Sequence, residues 1–343
     1  MEKMNYAQLY SKLTKSLSPK IRGIFDRRFG VKSGNPETLE SIGKSLKITR
    51  ERVRQIEEAG FKTIRKNHQD SLDSVFGVFN EYFDKNGGFK KEDIVLSELG
   101  GPKNQPYVLF FLTIADKFSR VCGKKDYHYY WAKDGSTASL VKEKLTHLVK
   151  DIGSDKKMVN RQELVASFAS KHGLNESAVS SYLEVSRKIQ QNKEGKFGLA
   201  HWPEVNPRGV RDKAFLVFKK EQKPLHFRQI AGLIDFLGYS EEGKKAHPQT
   251  VHNELIKDNR FVLVGRGTYA LAEWGYMPGT IKDIITKVLK EKQGNVYQDD
   301  VVKEVLAQRL VAKNTVLINL NNKKHFGKDE EGKYFLRETT QTA

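Results

Sequence analysis

A mainly α-helical protein with small β-hairpin wings is predicted by three features of this 343-residue sequence. Two amphipathic segments, each opened by a threonine and joined by a tight turn, lie between Thr38 and Lys66. Beyond residue 69 one layout recurs four times: three helical patterns, then a turn and a run of alternating aromatic and apolar residues. Hydrophobic residues make up 38% and charged residues 30%, which suits several modest cores better than one large core. Together these predict a helix-turn-helix domain plus tandem winged-helix modules. The expected divisions are a helical arm (1–16), the helix-turn-helix (17–69) and modules at 70–135, 136–206, 207–276 and 277–343.

The arm, MEKMNYAQLYSKLTKS, carries Tyr6, Leu9, Tyr10 and Leu13 at helical spacing, as expected of a short helix packing on the domain that follows. In the next segment, TLESIGKSLKITRERVRQIEEAGFKTIRK, Thr38 and Thr49 stand where helix N-caps belong. At 100° per residue, Val53, Ile56, Gly60 and Ile64 share one sector roughly 80° wide, the face that packs inward. Glu51, Arg54, Gln55, Glu58, Lys62 and Arg65 lie opposite, with Arg50 and Arg52 on the flanks. Arg bridges guanine, Gln bridges adenine and Glu accepts from cytosine, so that outer face has base-reading chemistry.

The string TLESIGKSL-x-ITRERVRQIE, preceded by LSPKIRGIFDRRFGV, closely resembles the promoter-reading domain, region four, of housekeeping-class sigma factors. The resemblance runs over about residues 17–67. It implies that the second helix reads the upstream promoter hexamer and that the domain docks on RNA polymerase. By position it implies base-reading roles for Arg50, Glu51, Arg54 and Gln55, with Arg52 and Lys62 nearer phosphates. Thr38, Thr49 and Arg65 complete the expected DNA-binding set. Gly60-Phe61 replaces a helix-favouring pair, so the helix is expected to end or bend there. Residues 1–69 are also expected to survive as a folded, weakly binding fragment when the rest is deleted.

The four repeats end in GKKDYHYYWAKDG (123–135), EGKFGLAHWPE (194–204), RGTYALAEWGY (266–276) and EGKYFLRE (331–338), each read as the second strand of a hairpin. Trp131, Trp202 and Trp274 end these strands and are expected to close small cores. In the third repeat, PRGVRDKAFLVFKKEQKPLHFRQIAGLI and the later VHNELIKDNRFVLVGRGTYALAEW resemble the HARE-HTH domain found in the RNA polymerase delta subunit. The acidic tail of that subunit has no counterpart in TTQTA (339–343), so its tail-dependent activity is not implied. Gln249, Thr250, His252, Asn253 and Lys257 form a polar helical face, a second candidate surface for DNA or a protein partner.

Net charge is +18, and residues 1–69 hold sixteen Lys/Arg against seven Asp/Glu, so half of the excess coincides with the helix-turn-helix. That balance favours a polyanionic partner. Cys122 is the only cysteine, which excludes an intrachain disulfide and a cysteine-based zinc site. No apolar run reaches membrane-span length and the N-terminus lacks a signal-peptide core, so a cytoplasmic protein at the nucleoid is expected. His247 and His252 are five apart, without metal-ligand spacing. The Glu-Gly-Lys triplets read as turns, and no phosphate-binding glycine loop or nucleophile–base pattern occurs. No enzyme activity, cofactor, metal or small-molecule ligand is expected.

The function expected is that of a sequence-specific double-stranded-DNA-binding transcription protein, a sigma-like promoter reader without the promoter-melting module. The alternative is an accessory factor or scaffold on the bacterial RNA polymerase core, acting mainly through protein contacts.

Overall fold

The computed structural model describes residues 4–240, 243–293 and 295–337. It is mainly α-helical with small three-stranded antiparallel sheets, and it divides into two compact units, Met1–Val205 and Asn206–Ala343.

In the first unit, α1 (Tyr6–Thr14) is capped by Asn5, and α2 (Pro19–Phe29) by Ser18 with proline in its first turn. Next come α3 (Leu39–Leu46), α4 (Arg50–Asn67) and α5 (Gln69–Lys85). Strand β1 (Phe89–Lys91) leads into α6 (Glu92–Ile114), which kinks at Gly101, just before Pro102. The hairpin β2 (Ser119–Val121) and β3 (Tyr130–Ala132) closes the first repeat. The second runs α7 (Gly135–Asp155), β4 (Val159–Asn160), α8 (Arg161–His172), α9 (Glu176–Val185), β5 (Ile189–Gln191) and β6 (Lys196–Leu199).

The second unit repeats that order. It contains α10 (Gly209–Glu221), β7 (Leu225–His226), α11 (Phe227–Phe236), α12 (Pro248–Lys257), β8 (Phe261–Gly265) and β9 (Thr268–Leu271). Then follow α13 (Ile281–Glu291), β10 (Val296–Tyr297), α14 (Gln298–Gln308), α15 (Lys313–Leu320), β11 (Phe326–Lys328) and β12 (Lys333–Leu336).

Every sheet has the same strand order, first–third–second. The third strand therefore lies in the middle, and its aromatic recurs: Tyr130, Phe197, Tyr269 and Tyr334 each pair across to a first and a second strand. The sequence pattern shows a two-stranded hairpin per repeat; the extra strand precedes each second helix. Three of these extra strands are two residues long, too short to show an alternation. The tryptophans also differ from expectation. Only Trp131 lies within a strand; Trp202 follows β6 in a turn, and Trp274 ends a 3₁₀ turn. All three pack against repeat cores, with Trp131 fully inside.

Two corrections concern the N-terminal segment. First, α4 runs unbroken from Arg50 to Asn67, through Gly60-Phe61. A Cβ on Gly60 would lie 2.7 Å from Ile21 Cγ2 and 2.7 Å from Phe25 Cζ, so glycine is what lets α4 sit directly on α2. Phe61 stacks on Phe25 with ring centroids 5.0 Å apart. Second, the helix-turn-helix has no separate core on that side. Phe110 of α6 sits between Tyr10, Phe25, Phe29 and Phe61, at 4.9, 5.5, 5.3 and 5.8 Å. Tyr6, Tyr10 and Leu13 of the arm are buried in the same cluster, with Leu72, Phe79 and Phe83 of α5. A cut after residue 69 passes through this core.

The first two repeats also interlock. Phe89 lies 4.6 Å from Tyr182, the Ser181 hydroxyl donates to the Asn86 carbonyl at 3.0 Å, and buried Lys90 pairs with Glu184 at 2.9 Å. In the second unit the Leu310 amide donates to the Val264 carbonyl at 2.7 Å. There buried Arg309 donates to the carbonyls of Met277 and Gly279 at 2.7 and 2.8 Å. Residues 339–343, with the neutral TTQTA, lie outside the described residues.

Candidate nucleic-acid interface

The geometry of α3 and α4 is set by local chemistry. Thr38 Oγ1 accepts from the Ser41 amide and Thr49 Oγ1 from the Arg52 amide, both at 3.1 Å, so both expected caps form. Between the helices Lys47 adopts left-handed backbone, φ 53°, and the Ile48 amide returns to the Gly43 carbonyl at 3.0 Å. A Cβ at Gly43 would stand 2.8 Å from the Ile48 oxygen, so the tight turn requires glycine there. Ile24, Ile42 and Val53 are fully buried between α2, α3 and α4, with Leu39, Ile48 and Ile56 around them.

The approach to α3 is braced by a contact that no motif marks. Arg27 grips the Glu37 carboxylate with two hydrogen bonds, 2.8 and 2.6 Å, and donates to Ser45 Oγ at 3.0 Å. Arg28 reaches the Glu37 carbonyl at 3.0 Å. The Arg27 guanidinium holds the Glu37 carboxyl below the usual carboxylate range. The only sequence signal is an acidic residue directly before a capping threonine. Behind α4, buried Glu57 faces Arg28 at 3.5 Å. Burial raises its carboxyl above the ordinary value, more strongly than Arg28 lowers it.

On the outer side Arg50, Glu51, Arg52, Arg54 and Gln55 are all exposed in the first two turns of α4. They pair with one another: Arg54 donates to both Glu51 oxygens, at 2.8 and 3.0 Å, and Arg52 Nη1 donates to Gln55 Oε1 at 3.1 Å. The Arg54 hydrogen bond lowers the Glu51 carboxyl, so it is an ionised acceptor at neutral pH. Exposed pairs of this kind contribute little to stability, about 0.2–1 kcal/mol. They hold long side chains extended along the helix.

Lys62 is exposed three turns from the helix start. Arg65 stands apart from the expected set. Its guanidinium is half-buried, donates to the Ile114 carbonyl at 2.9 Å, and pairs with Asp116 at 2.8 Å and Glu58 at 3.3 Å. Arg65 ties α4 to the end of α6 and is committed within the chain. Helical spacing places it on the outer face, but only the fold brings α6 there.

The second expected face, on α12, is partly engaged. Gln249, Thr250, Asn253 and Lys257 are exposed. His252 instead packs between Phe227 and Tyr269, at 4.6 and 5.8 Å. Gln249 donates to Asn253 at 3.3 Å, and Glu254 attracts both Lys257 and Arg211. Among the described residues no group of three or more His, Cys, Asp or Glu is placed to hold a metal ion, and no helix is long and apolar enough to cross a membrane.

Residues 15–66 match the Sigma-70, region 4 family. The RNA polymerase sigma factor SigA of Nostoc sp. is 39% identical over 61 residues, 18% of this chain and 16% of that protein. SigA of Clostridium acetobutylicum is 37% identical over 67 residues, 18% of each chain. SigA of Lactococcus lactis subsp. cremoris is 42% identical over 50 residues, 15% of this chain and 14% of the relative. The chain thus spans less than a fifth of the length of these curated relatives. The similarity of this segment points to a DNA-binding, transcription-related function. All three relatives are RNA polymerase sigma factors.

Proposed function

We propose that the chain is a sequence-specific reader of double-stranded DNA that recognises promoter-like sites without itself melting them. In this reading the N-terminal half of α4 enters the major groove, where Arg50, Glu51, Arg54 and Gln55 meet base edges. Arg52 and Lys62 meet phosphates, and Thr38 and Thr49 hold the two helix starts. The carrying observation is the row of exposed base-reading side chains on a helix fixed by the Thr49 cap, the Gly43 turn and the buried Ile24–Ile42–Val53 contact. Leu46 is the one large exposed hydrophobic among described residues 4–69, which suits a polar, charged partner better than an apolar protein surface.

The four repeats are read as winged helices, on the support of their common helix–strand–helix–helix–hairpin order and first–third–second sheets. The third is read as HARE-HTH-like. As a DNA reader the protein would work at the nucleoid. Selection from a random duplex pool tests the reading. Arg54→Ala or Gln55→Ala should cost about 1–3 kcal/mol on the selected site and relax preference at one or two positions. Equal loss on all sequences would reduce these residues to phosphate contacts and defeat base reading.

A second reading, an RNA polymerase-associated accessory acting through protein contacts, is favoured by a different observation. Phe236, Ile256, Leu263, Tyr297, Leu306, Leu310 and Ile318, most of the exposed large hydrophobics among the described residues, belong to the second unit. A flat salt dependence of DNA binding with retained polymerase binding would select it.

A further inference from the structure

The four repeats are not equivalent in what their third helices leave free. In the first, the arm of α6 after Gly101 buries Val108, Phe110, Phe111, Leu112 and Ile114 in the core shared with the helix-turn-helix. In the second, α9 buries Ala178, Val179, Ser181, Tyr182, Leu183 and Val185, and lies against β1 of the first repeat. On α6 beyond Gly101 only Pro102 and Lys103 are exposed, and on α9 only Glu176 and Ser177. By contrast α12 buries only Val251 and Leu255, and α15 only Val316 and Leu320.

Of these two, α15 has the charge that suits a polyanion. No Asp or Glu occurs from Val305 to Lys328; of the five cations there, Arg309 is buried on backbone carbonyls and Lys313 pairs with Asp299 at 3.4 Å, which leaves Lys323, Lys324 and Lys328 as exposed charge. Lys323 and Lys324 are exposed, and neither pairs with a carboxylate among the described residues. Asn314 and Ile318 of α15 and the C-cap residue Asn321 fall within a stripe roughly 60° wide; Ile318 is 73% exposed in its middle, and Asn321 Oδ1 accepts from the Tyr334 hydroxyl at 2.8 Å, which leaves its amide group as a donor. An amide–apolar–amide stripe beside free ammonium groups matches the donors, acceptors and thymine methyls of a major groove flanked by phosphates. On α12 the equivalent region is balanced by Glu254 and Asp258.

We propose that α15 and the turn after it, residues 313–325, form a second surface for duplex DNA, separate from α4. The inference rests on DNA being the chain's partner, but not on base reading by α4. The hairpin tip that follows carries Asp329, Glu330 and Glu331, so the contact is confined to α15 and its turn and excludes the tip. The affinity of the full chain is therefore shared between α4 in one unit and a mainly electrostatic contact in the other.

The test is a salt titration of the full chain on a selected duplex and on a random one. It compares wild type, Lys323→Ala/Lys324→Ala, Ile318→Asp and Arg54→Ala/Gln55→Ala. Each lost phosphate contact makes the log–log slope shallower by about 0.9. If both lysines touch phosphate, the wild-type-to-variant affinity ratio shrinks about tenfold between 50 and 200 mM salt. The loss should be the same on both duplexes. Ile318→Asp should also weaken binding while the melting of the second unit is unchanged, because Ile318 is outside the core. Wild-type slope and affinity in the lysine variant overturn the proposal, as does wild-type affinity in Ile318→Asp. If the lysine variant behaves normally while Arg54→Ala/Gln55→Ala relaxes sequence preference, this surface fails and base reading by α4 stands. A shallower slope in the lysine variant with unchanged preference in Arg54→Ala/Gln55→Ala supports this surface and removes base reading from α4.

Discussion

Replacing Gly60 by alanine should destabilise α4, against the usual effect of that change. In a helix interior Gly→Ala ordinarily stabilises by about 1 kcal/mol, because alanine has less backbone freedom to lose. Here the added methyl would stand 2.7 Å from Ile21 Cγ2 and 2.7 Å from Phe25 Cζ, closer than carbon atoms approach. Phe25 cannot swing aside, because its fully buried ring is held by Phe29, Phe61 and Phe110 at 6.1, 5.0 and 5.5 Å. Overpacking of this kind costs about 1–3 kcal/mol, so the net expected loss is about 1 kcal/mol. Gly23, inside α2, is the internal control: nothing lies within 4 Å of its added Cβ, and Gly23→Ala should stabilise. The two variants should therefore differ by about 2 kcal/mol, roughly thirtyfold in the opening equilibrium. Native-state hydrogen exchange of the α4 amides measures this without assuming that a two-unit chain unfolds in one step. Equal protection gains in Gly60→Ala and Gly23→Ala would refute the close α2–α4 contact.

The remaining predictions concern the same region. Thr49→Ala removes the acceptor for the Arg52 amide and should cost about 1 kcal/mol with weaker DNA binding, while Thr49→Asp retains stability. Loss of binding in Thr49→Ala without loss of α4 protection would mean that Thr49 acts on DNA directly. Glu57 has its carboxyl raised by burial, so its contribution is complete below the ordinary value of 4.5 and is lost as pH rises through the raised folded value. Glu57→Gln should therefore gain on the wild type as pH climbs from acid to neutral in paired urea titrations, and parallel profiles would contradict the assignment. A fragment ending at residue 69 loses Phe110 and exposes Phe25, Phe29 and Phe61. It should bind a hydrophobic dye and unfold without cooperativity, and a sharp transition would show that the Ile24–Ile42–Val53 cluster is enough to hold residues 1–69 folded.

Much of α4 was legible because its determinants are local. A threonine before a helix caps the residues next to it, and a helical period assigns Val53 and Ile64 inward and Arg54 and Gln55 outward whatever lies beyond. The recurrence of helices and hairpins was legible for the same reason, as was the mainly helical fold class. The two-residue strands were not, since a strand that short is defined only by its partner in the sheet. Arg65 shows the limit in the site itself: its sequence position marks it as outward, yet outward on α4 is where α6 ends.

What the sequence alone determined, then, is which side chains α4 presents and where the helices begin. What only the tertiary structure decided is which faces are covered. Gly60-Phe61 reads locally as a weak point in a helix, and it becomes a tight contact because Phe25 and Phe110 arrive from elsewhere. Likewise α9 and α15 both carry polar faces, but β1 of the first repeat covers one and nothing among the described residues covers the other. Periodicity measures the polarity of a single surface. Burial depends on a pair of surfaces, and the second member of each pair comes from a distant part of the chain.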